Sequence, residues 1–210
     1  MIIVGAKSFA KEVLEICYQN NKLEHLVFYD DVNKDIPDVL YDKFPVLKSQ
    51  EVAADYFKNT DSSFTLGVGN PKIREKLYNR FIALGGQFSE TISPKAEIGH
   101  FGTEIGAGCN ILSNAVISNQ VCIGKGVLVY FGSIITHDVT IGDFVEIAPG
   151  ATLLGRCNIG KGTHVGSNTT ILPDVKVGEN VIIAAGAVVT KNVPDNCMVA
   201  GIPAVIKKQF

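Results

Sequence analysis

From Ile105 onward every sixth residue is Ile, Val or Leu: Ile105, Ile111, Ile117, Ile123, Val129, Ile135, Ile141, Ile147, Leu153, Ile159, Val165, Ile171, Val177, Ile183 and Val189. No other feature of the chain limits its fold so strongly. An α-helix turns every 3.6 residues and cannot keep a six-residue period on one side, whereas strands that alternate inward and outward can. Two positions before each apolar residue stands something small or slender, such as Cys109, Ala115, Ser133, Ala151 or Thr163, which suits a tight interior corner. Glycine follows every third apolar position, at Gly106, Gly124, Gly142, Gly160 and Gly178, so the full repeat is eighteen residues. Three short strands per coil describe a triangular parallel β-helix of about six coils, with residues eighteen apart stacked at about 4.8 Å.

The first 90 residues follow another grammar. Only five of the 21 glycines lie there, and short apolar runs alternate with helical patterns. Ile2–Val4 reads as a strand, and Phe9, Val13, Ile16 and Cys17 mark one face of a helix. Leu26–Tyr29 and Phe64–Val68 read as further strands. A second helix is expected around Val52–Phe57, and Ile73, Leu77, Phe81 and Leu84 predict the buried face of a third. Strand–helix–strand repetition implies a small parallel sheet. The expected organisation is therefore an α/β Rossmann-like domain over residues 1–90 and an all-β domain over residues 91–210.

Composition narrows the partners. Asp and Glu number 21 against 19 Lys and Arg, and no basic run offers the footprint that nucleic acid or an anionic membrane surface requires. Neither an apolar stretch of about 18 residues nor a signal-peptide start is present, so a soluble cytoplasmic protein is expected. The five cysteines are odd in number and scattered without a Cys-x-x-Cys, which argues against a disulfide framework or a zinc knuckle. The four histidines, His25, His100, His137 and His164, show no His-x4-His spacing of the kind a three-histidine zinc site would suggest. No metal is expected, and a β-helix carbonic anhydrase is disfavoured.

His137 and Asp138 interrupt the repeat on the corner that leads into the glycine-marked face. Asp138 could hold the imidazole in one tautomer and raise its basicity. Together with the hexapeptide pattern and the ending Ala-Ala-Gly-Ala-Val-Val-Thr-Lys-Asn-Val-Pro over residues 184–194, this pair makes the chain resemble the left-handed β-helix sugar acetyltransferases of the PglD and NeuD type. The resemblance spans the whole chain. It implies acetyl transfer from acetyl-CoA to the amine of a nucleotide-linked sugar, a UDP- or dTDP-linked 4-amino-4,6-dideoxy sugar, in surface glycan synthesis. It also implies a homotrimer with acetyl-CoA in the groove between neighbouring β-helices.

On that resemblance His137 is the general base, oriented by Asp138, and the N–H of Gly155, one coil on, is the oxyanion donor. Substrate contacts are expected from Gly5, Ala6, Lys7 and Ser8 in the first loop, from Asp30 and Asp31 at the end of the second strand, and from Gly69, Asn70 and Glu146. The first loop keeps only Gly5 of a Gly-x-Gly-x-x-Gly pattern, so a dinucleotide is not expected. Lys72 and Arg74 read equally as caps of the next helix. Coenzyme contacts are expected from Gly155, Ser167, Ala184, Ala185, Lys191, Gly201 and Pro203. Glu146 stands where the resembled bacillosamine enzymes carry a second histidine, and Asp138 where Glu is common, so the sugar is open. O-acetylation of sialic acid or a related sugar, and a non-catalytic β-helix scaffold, are the competing readings.

Overall fold

A computed structural model describes all 210 residues. The chain divides into two units, residues 1–69 with 73–91 and residues 70–72 with 92–210.

In the first unit six strands lie in the order β3-β4-β2-β1-β5-β6. They are β1 (Ile2–Val4), β2 (Val27–Tyr29), β3 (Val39–Leu40), β4 (Phe44–Leu47), β5 (Ser63–Leu66) and β6 (Gln87–Phe88). All pair in parallel except β3 with β4. Helix α1 (Ser8–Gln19) buries Phe9, Ala10, Val13, Ile16 and Cys17, the stripe its apolar spacing predicts. Helix α2 (Gln50–Asn59) starts at Ser49, whose side chain accepts the Val52 N–H, and it buries Ala53 and Phe57. An aromatic core of Tyr29, Phe57, Phe64 and Phe81 fills the space beneath, with edge-on and tilted ring contacts.

Helix α3 (Pro71–Ala83) departs from expectation. Ile73 is half exposed, and the neighbouring Arg74 is fully buried instead of solvated. Its Nη1 donates to the carbonyls of Val68 at 2.9 Å and Leu66 at 3.4 Å. The end of β5 leaves carbonyls that need donors away from water, and a guanidinium supplies several from one side chain. That demand turns the helix so that Arg74 and Phe81 face inward.

The second unit is a parallel β-helix with faces of eight, six and five strands. Pairing runs eighteen residues apart throughout: Val116 with Ile134, Ile134 with Thr152, Glu146 with His164. Nearly every residue of the six-residue series is buried, with the small residues two places earlier filling the corners. Ser133, Thr163 and Thr169 are buried polar exceptions. Each hydroxyl donates to a carbonyl of the next coil, as Thr163 does to Gly178 O at 2.8 Å, so none of these three is left unpaired. A final hairpin, Cys197–Ala200 with Val205–Gln209, ends the eight-stranded face.

Candidate active site

His137 lies in the turn between the strand Ile134–Ile135 of the six-stranded face and Thr140–Ile141 of the five-stranded face. Asp138, beside it, has φ +61°, a left-handed conformation that Asp tolerates better than most residues. The turn folds the carboxylate back onto the ring, with Nδ1 2.6 Å from Asp138 Oδ2. An ionised carboxylate accepts from Nδ1–H, which fixes the tautomer and leaves Nε2 with its lone pair. Both side chains are about half exposed.

Gly155 occupies the same turn one coil further on. The Arg156 N–H donates to His137 O at 3.2 Å, which locks the two turns in register. A Cβ on Gly155 would lie 2.6 Å from His137 Cε1 and 2.9 Å from Nε2, so the imidazole rests on the space a side chain would fill. No backbone carbonyl takes the Gly155 N–H. A lone-pair nitrogen and an uncommitted amide therefore stand side by side on one corner, the pair that addition to a thioester requires.

The expected coenzyme residues fall on two corners. Lys191 belongs to the His137 and Gly155 column, two residues past the strand Val188–Val189. Ser167, Ala184 and Ala185 lie at the opposite edge of the six-stranded face, in the turns that precede its strands; Gly186 N–H donates to Ser167 O at 2.8 Å. Gly201 and Pro203 extend that second column, as the Val188 N–H donates to Gly201 O. Within one chain the six-stranded face thus separates the imidazole from most of the expected coenzyme residues.

Glu146 is on the eight-stranded face, also apart from His137. Its Oε2 lies 3.0 Å from Nδ1 of His164 in the next coil. No local pattern in the sequence marks this second histidine–acid pair, although the eighteen-residue offset that joins His137 to Gly155 also joins Glu146 to His164. The pair borders a cavity of ≈ 440 Å3 with Asn180, Ile182 and Phe210, and with Asn70 and Lys72, which belong to the same unit.

In the first unit a cavity of ≈ 380 Å3 opens at the carboxyl ends of β1, β2 and β5, where open α/β sheets receive ligands. Gly5 lines it with φ +116°, and a Cβ there would meet Gly67 O at 2.9 Å, so glycine is needed on both counts. Ala6, Lys7 and Ser8 carry the chain into α1; Lys7 has no side-chain cap and its ammonium pairs with Asp35 at 3.0 Å. The two aspartates divide their roles. Asp30 is spent on its own turn, accepting from the N–H groups of Val32 and Asn33 and from the Asn33 amide. Asp31 instead faces Arg80 at 2.9 Å across the cavity. Arg80 and Lys76, both lining residues, were missed, as was Tyr29. The Tyr29 hydroxyl is buried and makes no hydrogen bond of normal geometry. Burial, and then the nearby Asp31 carboxylate, hold its phenol above the ordinary range.

The cysteines play no visible part: all are free, four are buried, and burial pushes the Cys17 and Cys157 thiols up to about 12. No group of three or more candidate ligands could hold a metal ion, and no helix is long and apolar enough to cross a membrane.

Residues 1–81 match the PglD N-terminal domain, and residues 123–155 and 156–191 each match the bacterial transferase hexapeptide (six repeats). GDP-perosamine N-acetyltransferase of Escherichia coli is 34% identical over 159 residues, 73% of this chain and 69% of that protein. The acetyltransferase domain of PglB from Neisseria gonorrhoeae, solved in complex with acetyl coenzyme A, is similar at TM-score 0.89 and 29% identity, covering 98% of this chain and 97% of that one. PerB from Caulobacter crescentus, solved with CoA and GDP-perosamine, is similar at TM-score 0.90 and 24% identity, over 99% and 96%; at that identity the likeness is one of fold.

Proposed function

Because this chain belongs to the PglD-type hexapeptide-repeat sugar acetyltransferases, we propose that it moves acetyl from acetyl-CoA to the amino group of a nucleotide-linked sugar, with His137 as general base. One observation carries the mechanism: His137 is held by Asp138 on one side and rests against Gly155 on the other. As the amine attacks the thioester carbonyl, Nε2 takes the amine proton and the Asp138 carboxylate stabilises the resulting imidazolium. The carbonyl oxygen becomes an oxyanion and receives the Gly155 N–H. Collapse of the intermediate expels CoA thiolate, and the proton on His137 returns to it. No enzyme nucleophile is needed, in keeping with thiols raised by burial.

The nucleotide occupies the cavity of Gly5, Asp31 and Arg80, with the amides at the start of α1 facing its phosphates. The family resemblance implies a UDP- or dTDP-linked sugar. The relative named for GDP-perosamine adds a guanine nucleotide to that set. The separation of His137 from Ser167 and Ala185 by the six-stranded face supports a homotrimer, in which the imidazole corner of one copy meets the coenzyme corner of the next. Acetyl-CoA as donor fits a cytoplasmic enzyme acting in surface glycan synthesis.

The test is acetyl transfer to a panel of GDP-, UDP- and dTDP-linked 4-amino sugars and to sialic acid, with products identified by mass spectrometry. An amide on one nucleotide sugar is the expected product. An ester on sialic acid, or no transfer to any member, overturns the reading.

A further inference from the structure

The turn that holds Asp138 recurs in four coils at Gln120, Asp138, Arg156 and Asp174, with φ between +57° and +64°. Equal backbone conformations aim the four side chains alike, and the coils stack at about 4.8 Å. Each turn is pinned to the one below, the N–H groups of Asp138, Arg156 and Asp174 donating to Asn119, His137 and Gly155 in succession. The column thus reads neutral, acid, base, acid. Arg156 has a carboxylate on either side of it, and only one of them is catalytically engaged in the mechanism above.

The guanidinium has made its choice. Arg156 Nε is 2.7 Å from Asp174 Oδ1 and Nη2 is 2.8 Å from Oδ2, a two-pronged pair turned away from His137. Asp138 is left to bind Nδ1 at 2.6 Å. Below it Gln120 carries no charge, so Arg156 is the one cation in an adjoining coil of this column. The attraction between Arg156 and Asp138 is present even in this arrangement: the guanidinium is raised above its ordinary value, first by its hydrogen bond to Asp174 and in smaller part by the charge of Asp138.

We propose that Asp174 is a positioning residue: by occupying Arg156 it keeps the guanidinium off Asp138, so that the Asp138 carboxylate stays on Nδ1 of His137. A bidentate guanidinium is a better partner for a carboxylate than a single imidazole N–H. Freed from Asp174, Arg156 would draw Asp138 upward, and the imidazole would lose the bond that fixes its tautomer. The inference rests on the reading of His137 as base.

The experiment is a rescue. Asp174→Asn keeps the shape and tolerates the left-handed turn, but it gives up the charge that holds Arg156. It is expected to lower kcat about fivefold, the scale of one exposed ion pair, with the KM for acetyl-CoA unchanged. Arg156→Gln alone is expected to stay within about twofold of the parent. The double variant Asp174→Asn/Arg156→Gln is expected to recover to the same level, because the competitor has gone. A merely structural role for Asp174 would lower the melting temperature and would not be rescued by removing its partner. An unchanged kcat in Asp174→Asn, or a double variant as slow as that single one, overturns the inference. The underlying reading fails separately: if His137→Ala retains full activity the base is misassigned, whereas an inactive His137→Ala beside an unresponsive Asp174→Asn removes the positioning role alone.

Discussion

Two histidine–carboxylate pairs stand on the β-helix, and they are made differently. His137 and Asp138 are neighbours in the chain, joined across a left-handed turn on a corner, with the ring against a glycine. Glu146 and His164 are eighteen residues apart, joined across two stacked strands on a flat face. In the first pair the imidazole projects outward and its far nitrogen is beside an uncommitted amide. In the second the acid is the more buried member, its side chain 13% exposed, and the histidine is fixed to the same sheet on which it lies. On the function proposed above, the same two functional groups make a proton acceptor with a companion donor in one place, and in the other they line a cavity. The proposed chemistry follows from the corner, where the His137 ring lies against Gly155, whose N–H no backbone carbonyl takes.

The sharpest way to break that distinction is to delete each histidine. His137→Ala should lower kcat/KM by about a thousandfold, within the range general-base removal produces, when CoA release is followed with saturating acetyl-CoA. His164→Ala should leave kcat within about threefold, since no proton transfer is assigned to it. Equal losses in the two variants would dissolve the contrast, and a larger loss at His164 would reverse it.

A smaller effect tests the glycine. Gly155→Ala puts a methyl group where His137 Cε1 and Nε2 now lie. The half-exposed ring has room to swing outward, so the expected result is a folded protein with a displaced base and about a hundredfold lower kcat, the scale of an ångström of misplacement. A variant with unchanged kcat would mean that the imidazole and this amide do not act together.

The legibility of these features in the sequence differed for physical reasons. The six-residue period disclosed the coils because each inward side chain obeys one local rule, repeated fifteen times. The same arithmetic stacked Gly155 over His137, and it would have paired Glu146 with His164 had it been applied outside the corner. Asp30 also left a local sign: an aspartate three residues before Asn33 is disposed to close its own turn, as it does. Arg80 left none, for its partner Asp31 is 49 residues away on another element. Arg74 misled outright. A charged residue beside Ile73 reads as the solvated side of a helix, and only the unpaired carbonyls at the end of β5 reverse that reading. Periodic structure writes itself into sequence; a donor summoned by another strand's carbonyls does not.

The last and smallest effect concerns what the second pair does. Glu146 touches His164 and borders the cavity that includes Asn180 and Lys72, so its charge is available to order a polar ligand there without moving a proton. Glu146→Gln preserves size and one accepting oxygen while removing the charge. If the pair is a wall for the acceptor, the acceptor KM should rise about three- to fivefold, the value of one partly exposed charged contact, while kcat and the acetyl-CoA KM stay within about twofold. Uniform binding is lost in that case, and transition-state stabilisation is not. A fall in kcat with KM unchanged would instead put Glu146 at the reacting centre, and the flat face would then share the chemistry now ascribed to the corner.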